Sequence, residues 1–232
     1  LMSYAEVVDQ ARNITDAISI PVIADGDTGY GNAMNVRRTV EGFAKAGCAG
    51  ILIEDQLAPK RCGHTPGKDV VGRDEAFDRL KAAVDAREEG TDILIMGRTD
   101  ANHTHGLDEA IFRGKRYREI GADIIFIEAP KTLEEMETIC REVPGCHMAN
   151  IVEGGLTPNL AMEQLRNVGF QFAAYPLTLL AASMNAMKTT LELMRDDLPR
   201  SEQLMNFEEL CDRIGFNNYY EMSQSYDTSR RS

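Results

Sequence analysis

The 232 residues hold no Cys-x-x-Cys pair and none of the spacings by which cysteine and histidine bind zinc. The five cysteines, Cys48, Cys62, Cys140, Cys146 and Cys211, are odd in number and scattered. That excludes a disulfide framework and points to a reducing compartment. Basic residues are the minority, 25 Lys and Arg against 37 Asp and Glu, for a net charge of -12. This balance argues against a nucleic-acid partner and suits attraction of divalent cations. Nor is any stretch apolar enough to span a membrane: the best one, Leu177 to Met194, is interrupted by Asn185, Lys188 and Glu192. No signal-peptide core follows Leu1, so the expectation is a cytoplasmic protein without membrane partners, or a plastid one if a transit peptide precedes these residues. No linker, low-complexity tract or repeat divides the chain, which reads as one domain over 1–232 with a helical extension from about 176.

Short β-branched runs alternate with helical periodicity. "IPVIAD", "AGILIED", "DILIMGRTD", "DIIFIEAP", "HMAN" and "QFAAYP" read as six strands, and the alternation predicts a parallel α/β sheet. Val7, Val8, Ala11, Ile14 and Ile18 form one helical stripe; Val36, Val40, Phe43 and Ala44 form another, ended by Gly47. Thr132 with Glu135 predicts a capping box, and Thr157-Pro158 a helix start closed by Gly169. Six strands fit either an open doubly wound sheet or part of a (β/α)8 TIM-type barrel. The barrel is favoured because nearly every apolar run ends in a polar residue: Asp25 and Asp27, Glu54 and Asp55, Arg98 and Asp100, Glu128, Asn150. In a barrel all strand carboxyl ends open onto one mouth.

Strand alternation would send Asp25 and Asp27 off one face, with Glu54 arriving from the next strand, and three such carboxylates suit a hard cation such as Mg²⁺, which prefers oxygen ligands and keeps several waters. Asp27, before Thr28-Gly29, also suits a plain turn. "GDTGYG" carries its glycines in the reverse of the dinucleotide order, so nucleotide binding is not expected. Cys62 follows Lys60 and Arg61 and precedes His64; neighbouring cations lower a thiol's pKa, so Cys62 is either a proton donor or an ordinary cysteine. Arg98 fits a substrate carboxylate, or a rim ion pair with Glu128 or Asp100. His103 and His105 read as a solvated loop, Thr157 as a helix cap and Tyr175 as rim packing.

Taken together, "PVIADGDTGYGNAMNVRRTV", "GILIEDQLAPKRCGHTPGK", "GRTDA", "IEAP", "ANIVEGG" and "YPLT" resemble, in order, blocks of the isocitrate lyase / phosphoenolpyruvate mutase superfamily. The resemblance implies a Mg²⁺-dependent lyase, with Mn²⁺ as a substitute, that breaks a C–C bond in a small dicarboxylate. It implies metal contact at Asp27, water-mediated metal contact at Asp25 and Glu54, and Cys62 as the acid that protonates the departing enolate. Arg98, Glu128 and Asn150 match substrate-binding positions, and Lys60, Gly63 and His64 belong to the loop that carries the acid. Family members that work on C–P bonds generally lack the Cys-Gly-His sequence, so its presence favours a lyase; a phosphonate mutase and an inactive binding homologue are the alternatives. The family's opening strand, its Ser-Gly element and a further Asp have no counterpart here, so the expected barrel lacks its first strand and helix. A homo-oligomer, a dimer of dimers that exchange a late helix, is the implied assembly, and Met184, Met187 and Met194 belong either to that interface or to the core.

Overall fold

The computed structural model describes residues 2–61 and 67–226. They fall into two compact units, one ending at Pro176 and one beginning at Leu177.

The first unit is a parallel sheet of six strands, β1 (Ile23–Asp25), β2 (Gly50–Glu54), β3 (Leu94–Thr99), β4 (Ile124–Ile127), β5 (Cys146–Asn150) and β6 (Phe172–Ala174). Their spatial order is their order in the chain. A doubly wound sheet reverses its order at a switch point; this one never does. It is six consecutive strands of a TIM-type barrel, as expected. The helices between them are α1 (Tyr4–Ala17), α2 (Ala33–Lys45), α3 (Arg73–Glu88), the single turn α4 (Ala101–Thr104), α5 (Leu107–Ile120), α6 (Leu133–Glu142) and α7 (Met162–Val168).

Side chains alternate along a strand, and the alternation sorts this sheet into two faces. Ile51, Ile53, Ile95, Ile125 and Ile127 join Val36, Val40 and Phe43 of α2 in the main core, between sheet and helices. Leu52, Met96, Ile124 and Phe126 form a separate cluster, with Met148 against it. Two residues beyond members of this second set stand Glu54, Arg98, Glu128 and Asn150, at the carboxyl ends of their strands.

Local details show where tertiary forces overrule the pattern. In α1 Val8 and Ala11 are buried, whereas Ile14 and Ile18 are exposed and Ile18 lies past the helix end, so the expected stripe covers only the first turns. Thr132 Oγ1 accepts from the Glu135 amide at 3.2 Å, but the Glu135 carboxylate bonds the Lys131 amide at 2.7 Å, leaving the capping box half formed. Thr157-Pro158 starts no helix: α7 begins at Met162 after Ala161. Thr157 is instead a buried loop residue whose hydroxyl has no hydrogen-bond partner among the described residues. Gly169 does end α7, at φ +120°.

The second unit holds α8 (Thr178–Arg195), a short 3-10 turn (Ser201–Gln203), α9 (Phe207–Arg213) and α10 (Phe216–Gln224). None of these elements has a buried residue. Met184, Met187 and Met194 are each more than half exposed, so within this chain they are not core. No described helix is long and apolar enough to cross a membrane.

Candidate active site

Asp25 closes β1, and its Oδ1 accepts the Asp27 amide at 2.8 Å, which folds the chain back on itself. Asp27 takes a left-handed backbone, φ 51°, a conformation that aspartate tolerates because its short side chain bonds locally. Its carbonyl accepts the Glu54 amide from β2 at 3.0 Å. The two aspartates thus come together through a turn, not through strand alternation, and the turn is tied to the end of the next strand.

Asp25, Asp27 and Glu54 converge on one point, and the Lys60 ammonium sits there. Its Nζ is 3.1 Å from Asp25 Oδ2 and 3.7 Å from Glu54 Oε1, and it pairs with Asp27. Lys60 is brought in by Gln56, whose side chain clamps the next residue: Nε2 donates to the Arg61 carbonyl at 2.9 Å, and Oε1 accepts the Arg61 amide at 2.9 Å. Burial pushes the Glu54 carboxyl up to about 8 against the pull of Arg98 and Lys60. Burial works against the Lys60 charge as well, but Glu54, Asp25 and Asp27 outweigh it and hold the ammonium above its ordinary value.

Among the described residues no three His, Cys, Asp or Glu side chains form a ready cage for a metal ion. The convergence point is held by the Lys60 ammonium. Three observations fit a divalent ion. All donors are carboxylate oxygens, Glu54 is wholly buried, and neither of its oxygens accepts a hydrogen bond from a described residue. A buried carboxylate without donors is costly unless a cation answers it.

Across the sheet Arg98 is nearly buried, with its guanidinium 4.9 Å from the centre of the Phe126 ring. Its Nε is 2.8 Å from Asp100 Oδ2 and 3.2 Å from Glu54 Oε2, and its Nη2 is 3.9 Å from Glu128 Oε1. Burial opposes its charge, yet Asp100, Glu128 and Glu54 keep it firmly protonated. Asn150 Nδ2 donates to both oxygens of Glu128, at 3.2 and 3.3 Å. The structure therefore joins Asp25, Asp27, Glu54, Lys60, Arg98, Glu128 and Asn150 into one chain of contacts. Cys62, Gly63 and His64 lie outside the described residues.

Sequence reasoning missed the layer behind this mouth. Asp55, one step out of phase with Glu54, turns toward the helices and is fully buried. It accepts from Thr99 Oγ1 at 2.6 Å, the Asp100 amide at 3.0 Å, Arg113 Nη1 at 2.9 Å and Tyr117 OH at 3.1 Å. Tyr117 reaches it over Gly97, where an added Cβ would stand 3.0 Å from the ring. The one available signal was the adjacent acids of "IED", of which strand alternation lets only one face the mouth. His103 and His105 make no metal site with other described residues.

The family described as phosphoenolpyruvate phosphomutase matches residues 1–195, and the chain belongs to that family. It is 42% identical over 233 residues to 2,3-dimethylmalate lyase of Eubacterium barkeri, covering 99% of this chain and 80% of that one. The solved oxaloacetate acetylhydrolase bound to 3,3-difluorooxalacetate superposes with a TM-score of 0.91 at 32% identity, over 97% of this chain and 78% of that one. A phosphonopyruvate hydrolase solved with oxalate and Mg²⁺ gives 0.81 at 27% identity, over 97% and 80%. The superfamily, the barrel and the kinship with lyases expected from the sequence are borne out.

Proposed function

We propose that this protein is a Mg²⁺-dependent lyase that cleaves a C–C bond of a 2-hydroxy- or 2-oxo-dicarboxylate of the substituted malate, citramalate, oxaloacetate or methylisocitrate type. The observation that carries this reading is the meeting of Asp25, Asp27 and buried, unbonded Glu54 on one cation position, next to a guanidinium able to take a carboxylate. The names of the relatives support the substrate class.

In this reading Asp25, Asp27 and Glu54 would hold the metal and its waters. When bound, Mg²⁺ would supply a Lewis acid that stabilises the negative charge that develops as the C–C bond breaks. Lys60, which now pairs with all three carboxylates, would have to give up these contacts to such an ion. Arg98 grips a substrate carboxylate, and Glu128 with Asn150 fixes the substrate's orientation. Cys62 gives its thiol proton to the enolate carbon before the fragments recombine, with His64 and Gly63 on the same loop.

The test is a coupled assay for pyruvate, oxalate and glyoxylate release from a panel of such acids. Mg²⁺-dependent, EDTA-reversible release from one of them is expected, and Cys62→Ser should bind that acid without turning it over. The family's name and the phosphonopyruvate hydrolase likeness favour one rival, chemistry at a C–P bond. Conversion of phosphonopyruvate followed by ³¹P NMR, with no acid of the panel cleaved, would establish it instead.

The same reading carries a homo-oligomer. On α8 Leu179 is 80% exposed and Leu191 64% exposed, a large apolar surface for a monomer to leave in water. A second copy of the chain would cover it, and light scattering should report a dimer or a tetramer. The free cysteines Cys48, Cys140, Cys146 and Cys211 support a reducing compartment such as the cytoplasm.

A further inference from the structure

Arg98, the group that would take a substrate carboxylate, is ringed by three acids: Glu54, Asp100 and Glu128. Left to themselves these would cancel its charge and repel an incoming dianion. Glu54 faces Lys60 and Glu128 accepts from Asn150, and Asp100 is answered by a second buried cation. Lys68, whose side chain is wholly buried, places Nζ 3.0 Å from Asp100 Oδ1. Asp100, equally buried, spends its other oxygen on Arg98 Nε at 2.8 Å and shares Oδ1 with Arg98 Nη2 at 3.2 Å. Both contacts fall on one edge of the guanidinium. Among the described residues the remaining nitrogen, Nη1, donates no hydrogen bond.

Asp100 cannot drift to suit either cation. Its amide is held by Asp55 Oδ1 at 3.0 Å, and Asp55 is fixed in turn by Thr99, Arg113 and Tyr117. Taking an ammonium fully out of water costs several kcal/mol, and apolar replacement of a buried ion pair is often neutral or stabilising, so a buried ion pair is weak evidence of a stabilising role. This buried lysine is bonded to the acid that grips Arg98.

We propose that Lys68 and Asp100 are positioning residues for substrate binding: Asp100 holds Arg98 by one edge, and Lys68 neutralises Asp100 so that Arg98 keeps its positive charge and its outward nitrogen for a carboxylate. The inference rests on the reading of this mouth as a dicarboxylate site.

The test is calorimetric titration of the whole protein with oxalate in the presence of Mg²⁺, for wild type, Lys68→Met and the double variant Lys68→Met/Asp100→Asn, with folding checked by circular dichroism. Lys68→Met should weaken oxalate binding about tenfold or more, because Asp100 then cancels Arg98. Removing the Asp100 charge as well should return Kd to within about threefold of wild type, a recovery that a purely structural ion pair would not produce. The inference is overturned if Lys68→Met binds as tightly as wild type, or if the double variant binds as weakly as the single one. Should Lys68→Met fail to fold, the double variant decides by the same threshold. A wild type that binds no oxalate would remove the dicarboxylate reading and this inference together, whereas normal wild-type binding with unaltered variants removes only the inference.

Discussion

Lys60 Nζ lies 3.7 Å from Glu54 Oε1, and the carboxylate that it faces is completely buried and accepts no hydrogen bond from a described residue. An acid in that position is answered by charge alone. Its neutral form is favoured by burial, and its ionised form by Arg98, 3.2 Å from Oε2, and by whatever cation stands at the convergence of Asp25, Asp27 and Glu54. The competition between an ammonium tethered to a loop and a divalent ion from solution is therefore a property of the site itself.

Glu54→Gln removes the buried charge while keeping the shape. Wild type should melt at a higher temperature in Mg²⁺, by an amount equivalent to about 2.7 kcal/mol when the ion is at a hundredfold excess over its Kd. The variant should show almost none of that rise. An undiminished rise in Glu54→Gln would place the ion elsewhere.

Tyr117→Phe deletes one hydroxyl from the group that holds Asp55. A hydrogen bond to a charged acceptor contributes about 1.5–3 kcal/mol, and Tyr117 and Asp55 are both fully buried. Urea unfolding should show a loss of that size. A variant as stable as wild type would mean that Asp55 is satisfied by Thr99, Arg113 and the Asp100 amide alone.

The acid limb of stability should carry Glu109. Arg73, and then Arg113, hold its carboxyl down to about 2 from the usual 4.5. A value lowered on folding gives stabilisation that is complete above the unfolded value and lost as pH falls through the folded one. Wild type should thus exceed Glu109→Gln in Tm near neutral pH, with the gap closing between about pH 5 and about pH 2. A gap that does not change with pH would contradict the pairing.

Phe43 of α2 is entirely buried against the sheet. Phe43→Ala should cost about 3–5 kcal/mol, read as a shift of the unfolding midpoint; a cost under about 1 kcal/mol would mean that the core can close over the gap.

Much of this fold was legible because parallel strands are covered on both sides and so read as unbroken apolar runs. All six were found, and so were the polar residues that end them. The route by which those residues meet was not. The run-end pattern placed Asp25 and Asp27 on one strand face, whereas a left-handed turn at Asp27 brings them together. No local feature told which cation of "PKR" would reach the carboxylates, since that depends on how Gln56 clamps the loop. The bonds to Asp55 from Arg113 and Tyr117 span 58 and 62 residues, far beyond any pattern in the chain. Thr157-Pro158 carried a good helix-start signal and was overruled by a longer loop, while Ile14 and Ile18 kept helical spacing with nothing to pack against.

The most direct measurement is the paramagnetic resonance of Mn²⁺ titrated into the protein. Wild type should bind one ion per chain in competition with Mg²⁺, and Asp27→Asn and Glu54→Gln should each lose that binding while remaining folded. Equal Mn²⁺ binding by wild type and both variants, or none by wild type, would contradict the carboxylate site on which the proposed chemistry depends.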